Sequence, residues 1–248
     1  MRLDVYVSDK GFYESRTRAV RAIKESLVIV NGKPCTKPAF EINSETDAVE
    51  CLPDPVPYVG RGALKLEFAL DKYSINVNNC KAVDIGASTG GFTDVLLQRG
   101  AAHVACVDVG HGQLADKIRN DERTSVFEDT DIRDFNVDEG TYDIACTDVS
   151  FISIKLIIPH IFRLLKEDGT AVCLIKPQYE LGRKALNKKG IIKDKRLAEK
   201  CAEEIKESLA LSGLMPFGLS ESPIKGGDGN TEFICVCKRY GLNSRIDV

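Results

Sequence analysis

Beyond residue 60 the apolar positions fall into short blocks separated by longer amphipathic stretches. Ala82–Ile85, Val104–Val107, Ile144–Thr147 and Ala171–Ile175 are apolar-rich runs of the length expected for strands buried on both faces, and a further strand is expected around Val126. Helical spacing is read over 64–73, 92–98, 155–165 and 197–211. Strands alternating with helices predict a parallel, doubly wound sheet. Met215–Leu219 and Glu232–Cys237 read as a hairpin that closes this sheet with one antiparallel strand.

Upstream the pattern changes. Arg2–Val7 reads as extended, Glu14–Ser26 as a helix with Ala19, Ala22 and Ile23 inward, and Leu27–Val30 as a strand that turns at Asn31-Gly32. Pro53, Pro55 and Pro57 then disfavour helix and suit a short stiff connector. The expected organisation is a small α+β domain over 1–55, a linker over 56–63 and an α/β domain with a Rossmann-like sheet over 64–248.

The net charge of -3 over 248 residues carries no global nucleic-acid signature, so charge has to be read locally. Nine cysteines form no C-x-x-C pair and only three histidines accompany them, so no metal site is expected. Cys146 and Cys173 sit inside apolar runs, where a free thiol packs as a small hydrophobe, and a reducing compartment fits. The first residues lack a signal-peptide core and no apolar run reaches the ~18 residues of a span, so a cytoplasmic protein without stable membrane association is expected.

The most informative stretch is Asp84-Ile-Gly-Ala-Ser-Thr-Gly-Gly91, a D-x-G-x-x-x-G-G turn from strand to helix. Gly86, Gly90 and Gly91 stand where backbone approaches a ligand closely, with Ala87, Ser88 and Phe92 completing the turn. Asp108, 24 residues past Asp84, closes the second strand where a carboxylate meets ribose hydroxyls. A nicotinamide dinucleotide motif would place glycine at Ser88, so the pattern fits S-adenosylmethionine better. Asp131, after the third strand, is placed to accept from the adenine amino group.

In such a sheet ligands bind beyond the carboxyl ends of the strands. Asp148 and Lys176 follow two of those ends, and Glu232 begins the antiparallel strand, which brings it to the same edge. Lys65 joins them if its helix packs beside the site. Each has a structural alternative: a turn cap for Asp148, a solvated strand end for Lys176, a pair with Lys225 for Glu232, an exposed helix position for Lys65.

The runs D-I-G-A-S-T-G-G-F-T-D, V-D-V-G-H-G-Q-L, T-D-V-S-F-I-S, I-K-P-Q-Y-E and S-P-I-K-G-G-D-G-N-T-E-F together resemble the TlyA family. Its members are known as hemolysin A and as ribosomal RNA 2'-O-methyltransferases, with an S4 RNA-binding domain before an FtsJ-like domain. The resemblance implies a Lys-Asp-Lys-Glu tetrad at Lys65, Asp148, Lys176 and Glu232, S-adenosylmethionine as cofactor, and ribosomal RNA or ribosomal subunits, with cytidine as target. The chain departs from the family in having Gly60-Arg-Gly-Ala63 for S-R-G-G, His111 for tyrosine and Asp131 for asparagine.

On this reading Lys176 acts either as the base at the 2'-hydroxyl or as a cation beside the forming alkoxide; Asp148 orients it and Glu232 positions the ribose. Arg2, Arg16, Arg18, Arg21, Lys24 and Lys33 in the first domain, with Arg61, are expected to hold RNA phosphates. Arg183, Lys188 and Lys189 form a second such cluster after Lys176. The rival readings are a membrane-active hemolysin and a non-catalytic RNA-binding assembly factor. Base methylation would call for an N-P-P-Y run or a nucleophilic cysteine where Asp148-Val-Ser-Phe151 stands.

Overall fold

The computed structural model describes residues 1–13, 16–53 and 56–240. Glu14 and Ser15 at the expected start of a helix, Asp54 and Pro55 of the proline segment, and 241–248 lie outside the described residues. The chain divides into two compact units, Met1–Pro57 and Tyr58–Val248.

In the first unit, helices α1 (Leu3–Asp9) and α2 (Arg16–Lys24) pack with strands β1 (Val28–Val30), β2 (Lys33–Pro34) and β3 (Val49–Cys51), which form an antiparallel sheet ordered β2-β1-β3. Ala19, Ala22 and Ile23 enter its core as expected, beside Leu3, Val7, Val28 and Ile42. Asn31 and Gly32 both take positive φ (51° and 74°), the backbone that a tight hairpin between β1 and β2 requires.

The expectation of an extended Arg2–Val7 is corrected. Only Arg2 bridges to a strand-like partner, Glu41, and α1 begins at Leu3. Leu3-Val5-Val7 alternates, but Leu3 and Val7 are also four apart, so a helix buries both on one face. Its first amide groups donate to Phe40 O and Pro38 O, which relieves the cost of starting a helix there.

The second unit holds helix α3 (Ala63–Lys72), strand β4 (Lys81–Ile85), α4 (Gly91–Gln98), β5 (His103–Val107), α5 (Asp116–Arg119), β6 (Thr124–Phe127) and β7 (Tyr142–Thr147). These are followed by α6 (Ile158–Leu164), β8 (Leu165–Ile175), α7 (Pro177–Glu180), α8 (Lys195–Leu211), β9 (Leu214–Glu221) and β10 (Phe233–Arg239). The sheet order is β6-β5-β4-β7-β8-β10-β9, with β10 antiparallel to both of its neighbours. Ile158, Ile161, Leu164, Ala198, Ile205 and Leu209 from α6 and α8 cover one face over Val83, Ala105, Ala145 and Cys173. Asp194 caps α8, its side chain accepting from Arg196 N.

Some elements differ in extent from expectation. The helix expected over 155–165 is a 3-10 turn (Ile154–Leu156) followed by α6, because Pro159 lacks an amide hydrogen and restarts the helix at its first turn. Strand β8 starts six residues earlier than Ala171, its exposed first half turning at Asp168 (φ 60°) before the buried run. Ile161 is fully buried at the middle of the helix-sheet core. Ile161→Ala should lower the unfolding free energy by about 2–5 kcal/mol, read as a shifted urea midpoint.

Candidate active site

Strand register brings the expected residues to one edge. Ile85 pairs with Val107 on one side and Thr147 on the other, so Gly86, Asp108 and Asp148 leave the sheet at the same level. Ile175 pairs with Phe233 on the antiparallel strand, which sets Lys176 beside Glu232. Helix α3 buries Ala63, Leu66, Ala69 and Leu70, and this face carries Lys65 inward with them.

The four side chains form one ionic cluster. Lys65 Nζ lies 2.6 Å from Glu232 Oε2 and 3.6 Å from Asp148 Oδ2. Lys176 Nζ lies 2.5 Å from Asp148 Oδ1 and donates to Ser150 Oγ at 2.8 Å. Asp148 thus bridges both lysines. Glu232, expected to position the ribose, is 2% exposed, and its second oxygen accepts from Gln178 Nε2 at 3.4 Å. It is enclosed rather than presented to a ligand, and its direct effect is to hold Lys65.

Two clefts meet at this cluster. The larger, about 380 Å³, runs past Gly86, Ser88, Asp108, Val109, Gln113, Asp131 and Phe151; the smaller, about 260 Å³, is bounded by Arg61, Lys65, Asp84, Gly91, Phe92 and Lys176. Gly86, Ser88, Asp148 and Ser150 line both. At Gly86 φ is +83°, and an added Cβ would come within 2.9 Å of Asp148 O, so only glycine lets the β4 turn lie against the β7 end. Gly90 (φ +88°) opens α4, and Ala87 and Phe92 are buried under the turn.

Asp84 is wholly buried. Its Oδ2 accepts from Thr93 N and Oγ1 at 3.0 and 2.7 Å, while Oδ1 has no partner. Burial, with the Asp148 charge adding to it, pushes this carboxyl up to about 7. Asp108 accepts from Ser88 N and Gly110 N, both at 2.7 Å. Asp131 is clasped by Arg133, which holds it down to about 2, and His111 pairs with Asp129 in an exposed loop. An orphaned buried carboxylate oxygen, a glycine turn without room for side chains and a cleft ending in Asp108 fit an amino acid joined to a nucleoside.

The basic residues behave differently in the two units. Arg2 and Arg16 both pair with Asp4, whose carboxylate is buried and held at about 2, chiefly by the hydrogen bond from Arg2; both guanidinium groups remain about half exposed. Arg18 and Arg21 are partly buried on α2, and Lys24 and Lys33 are exposed. In the second unit Arg61 is exposed and donates to Lys225 O. Arg183, Lys188 and Lys189 are exposed without a carboxylate partner among the described residues. The loop they occupy is pinned by the buried Asn230, which accepts from Ile192 N and donates to Gly190 O.

Residues 58–240 match the FtsJ-like methyltransferase family and residues 1–49 the S4 domain. The 16S/23S rRNA (cytidine-2'-O)-methyltransferase TlyA of Mycobacterium tuberculosis is 36% identical over 94% of this chain and 87% of its own. Hemolysin A of Brachyspira hyodysenteriae is 42% identical over 94% of this chain and 98% of its own. The chain belongs to the TlyA family. A solved structure of a candidate hemolysin from Streptococcus thermophilus superposes with a TM-score of 0.76 at 38% identity, covering 97% of this chain and 88% of that one.

Within this TlyA-family site, three contacts were not legible from the residues alone. Ser150, Gln178 and Tyr179 touch the tetrad, and each sits three or four residues past a strand end, in a motif whose charged member belongs to the tetrad. Their signal was position, since a polar side chain that close to a strand end shares the same edge. Cys146 is fully buried and its thiol is pushed well above its ordinary range by burial, which leaves it protonated and unsuited to attack a base.

Asp84 carries a pH signature. Its folded-state value lies above its ordinary 3.8, so the fold holds this proton more tightly than the unfolded chain does. Its contribution to stability is full below about 3.8 and is lost as pH rises towards and through about 7. Urea midpoints of wild type should fall across that window relative to those of Asp84→Asn, which should be flatter; parallel curves for the two would contradict a raised Asp84.

Proposed function

We propose that the protein transfers a methyl group from S-adenosylmethionine to the 2'-hydroxyl of a ribose, in cytidine, within ribosomal RNA. The observation that carries this reading is the convergence of Lys65, Asp148, Lys176 and Glu232 where two clefts meet. The larger cleft suits the nucleoside part of the cofactor; the smaller, which Asp84 borders, suits its amino-acid part and, beside Lys65 and Lys176, the edge of the acceptor ribose. The substrate class follows the TlyA relatives, whose names specify ribosomal RNA and cytidine 2'-oxygen.

When bound, S-adenosylmethionine would supply a methyl group carried on a sulfonium, with a neutral thioether as the leaving group. Asp84 Oδ1 would receive the ammonium of its amino-acid part, Asp108 would accept from its ribose hydroxyls, and Asp131, with lone pairs left beyond those used by Arg133, would accept from its adenine. Lys176 takes the proton of the 2'-hydroxyl as the new oxygen–carbon bond forms. Asp148 holds the amine and keeps Lys65 at a distance of 3.6 Å, while Glu232 fixes Lys65 from its other side. Alignment of the hydroxyl with the methyl carbon accounts for about 7–11 kcal/mol of barrier in favourable cases, and four strand-end side chains in mutual contact provide the rigidity it requires.

Phe151 gives the acceptor side an aromatic face. It is 85% exposed, takes φ 68°, and its ring lies 5.1 Å from that of Tyr179. A base pulled out of its stack would find a platform there, as single-stranded RNA does on aromatic side chains. Phosphate contacts from Arg183, Lys188 and Lys189, and from Arg2, Arg16, Arg18, Arg21, Lys24, Lys33 and Arg61, would hold the strand without reading its sequence.

The deciding experiment supplies labelled S-adenosylmethionine and ribosomal subunits that lack the modification. Wild type should deposit label as an alkali-resistant 2'-O-methyl nucleotide. Lys176→Ala should lose at least about 100-fold in rate while binding S-adenosylhomocysteine normally. Cofactor binding without transfer to either subunit or to free RNA would overturn the reading in favour of a non-catalytic assembly role. Red-cell lysis, equal for wild type and Lys176→Ala, would mark a hemolysin activity separate from this site.

Binding to RNA should weaken steeply with salt. Replacing Lys188 and Lys189 with alanine should reduce the slope of log affinity against log salt by about 1.4–1.8, and an unchanged slope would remove this loop from the interface.

A further inference from the structure

Lys176 Nζ has two neighbours of the same polarity. Asp148 Oδ1 lies 2.5 Å away and Ser150 Oγ accepts from it at 2.8 Å. Both follow β7, two residues apart, and the chain turns sharply after them at Phe151 (φ 68°). The Tyr179 ring centre stands 6.0 Å from Nζ. The Lys176 side chain is 10% exposed, so little water competes for these positions.

A free amine has two N–H bonds and one lone pair in tetrahedral directions. An acceptor on one N–H fixes the torsion about Cε–Nζ but leaves two directions for the lone pair, because either hydrogen can take it. Ser150 Oγ takes one N–H through a lone pair, and the Asp148 carboxylate 2.5 Å away draws the other hydrogen, not the electron-rich lone pair, to its side, which leaves one direction for the lone pair.

From this geometry we infer that Ser150 is a positioning residue for methyl transfer, aiming the lone pair of Lys176 at the acceptor hydroxyl. The inference rests on Lys176 acting as the base in the reaction proposed above. The charged and titratable groups around the amine are Asp148 from the β7 end, Tyr179 from α7 and, one contact further through Asp148, Lys65 from α3 with its partner Glu232 at the start of β10.

The test uses the full chain with labelled S-adenosylmethionine and unmodified subunits, comparing wild type with Ser150→Ala, Ser150→Thr and Ser150→Val. Ser150→Ala should lower kcat about 10–100-fold, as expected for lost orientation, with KM for RNA within about twofold of wild type. Its far-ultraviolet circular dichroism should match wild type, which shows an intact fold. Ser150→Thr should restore the rate, and Ser150→Val, of the same shape without the hydroxyl, should not.

Wild-type kcat in Ser150→Ala, or equal activity in the Thr and Val variants, would overturn the inference. A raised KM with kcat unchanged would do so as well, because it would make Ser150 a substrate contact. Absence of transfer by wild type itself fails the parent reaction instead, a result visible before any Ser150 variant is compared.

Discussion

The arrangement at the sheet edge depends on one carboxylate shared between two buried lysines. Asp148 meets Lys176 through one oxygen and Lys65 through the other, and Glu232 supplies the second negative charge. Two cations and two anions balance in a region where their side chains are 3–20% exposed. Removing a single partner from such a set leaves an uncompensated buried charge, which commonly costs about 3–5 kcal/mol. The cluster therefore joins the ends of β7, β8 and β10 to α3, and it constrains the backbone too, since the Asp148 carbonyl sits where a side chain at residue 86 would have to be.

That constraint explains why much of the site could be read from residue order. Parallel strands flanked by crossover helices put their carboxyl ends on one edge, so an Asp, a Lys and a Glu at three strand termini must be neighbours if the strand assignments hold. The apolar runs were short and unbroken enough to make those assignments. The reading failed where one pattern served two periods: Leu3-Val5-Val7 alternates like a strand, yet its Leu3–Val7 pair and the carbonyl groups of Phe40 and Pro38 favour a helix. Partnerships were less legible than positions. That Glu232 would be sealed under Lys65 and Gln178, or that Arg2 and Arg16 would converge on Asp4, depends on side-chain reach and burial, which spacing along the chain does not encode.

The division into two clefts also follows from the strands. Asp84 and Asp108 are both carboxylates at strand ends, but their surroundings separate their roles. Asp84 sits within the sheet, under α4, with one oxygen spent on Thr93 and one unspent; Asp108 sits past the sheet with both oxygens on backbone amides of the turn. Burial raises the first and leaves it able to gain a strong partner. The second shapes the loop that walls the larger cleft. Between them Gly86 contributes only backbone, which keeps the passage between the clefts open at Asp148 and Ser150.

The basic loop is coupled to the same edge by a neutral residue. Asn230 is 1% exposed, and its side chain bonds Ile192 N and Gly190 O across the loop that carries Lys188 and Lys189. Its own carbonyl accepts from Gly226 N, and an added Cβ at Gly226 would overlap the Glu232 carboxylate. One short segment, 226–232, thereby sets both where the exposed cations stand and how closely the last member of the ionic cluster is enclosed. Exposed lysines usually contribute charge without fixed position, because their rotamer freedom is large. Here the backbone that bears them is held by hydrogen bonds two residues from Glu232, so a phosphate gripped by that loop would be registered against the reacting edge by the fold itself.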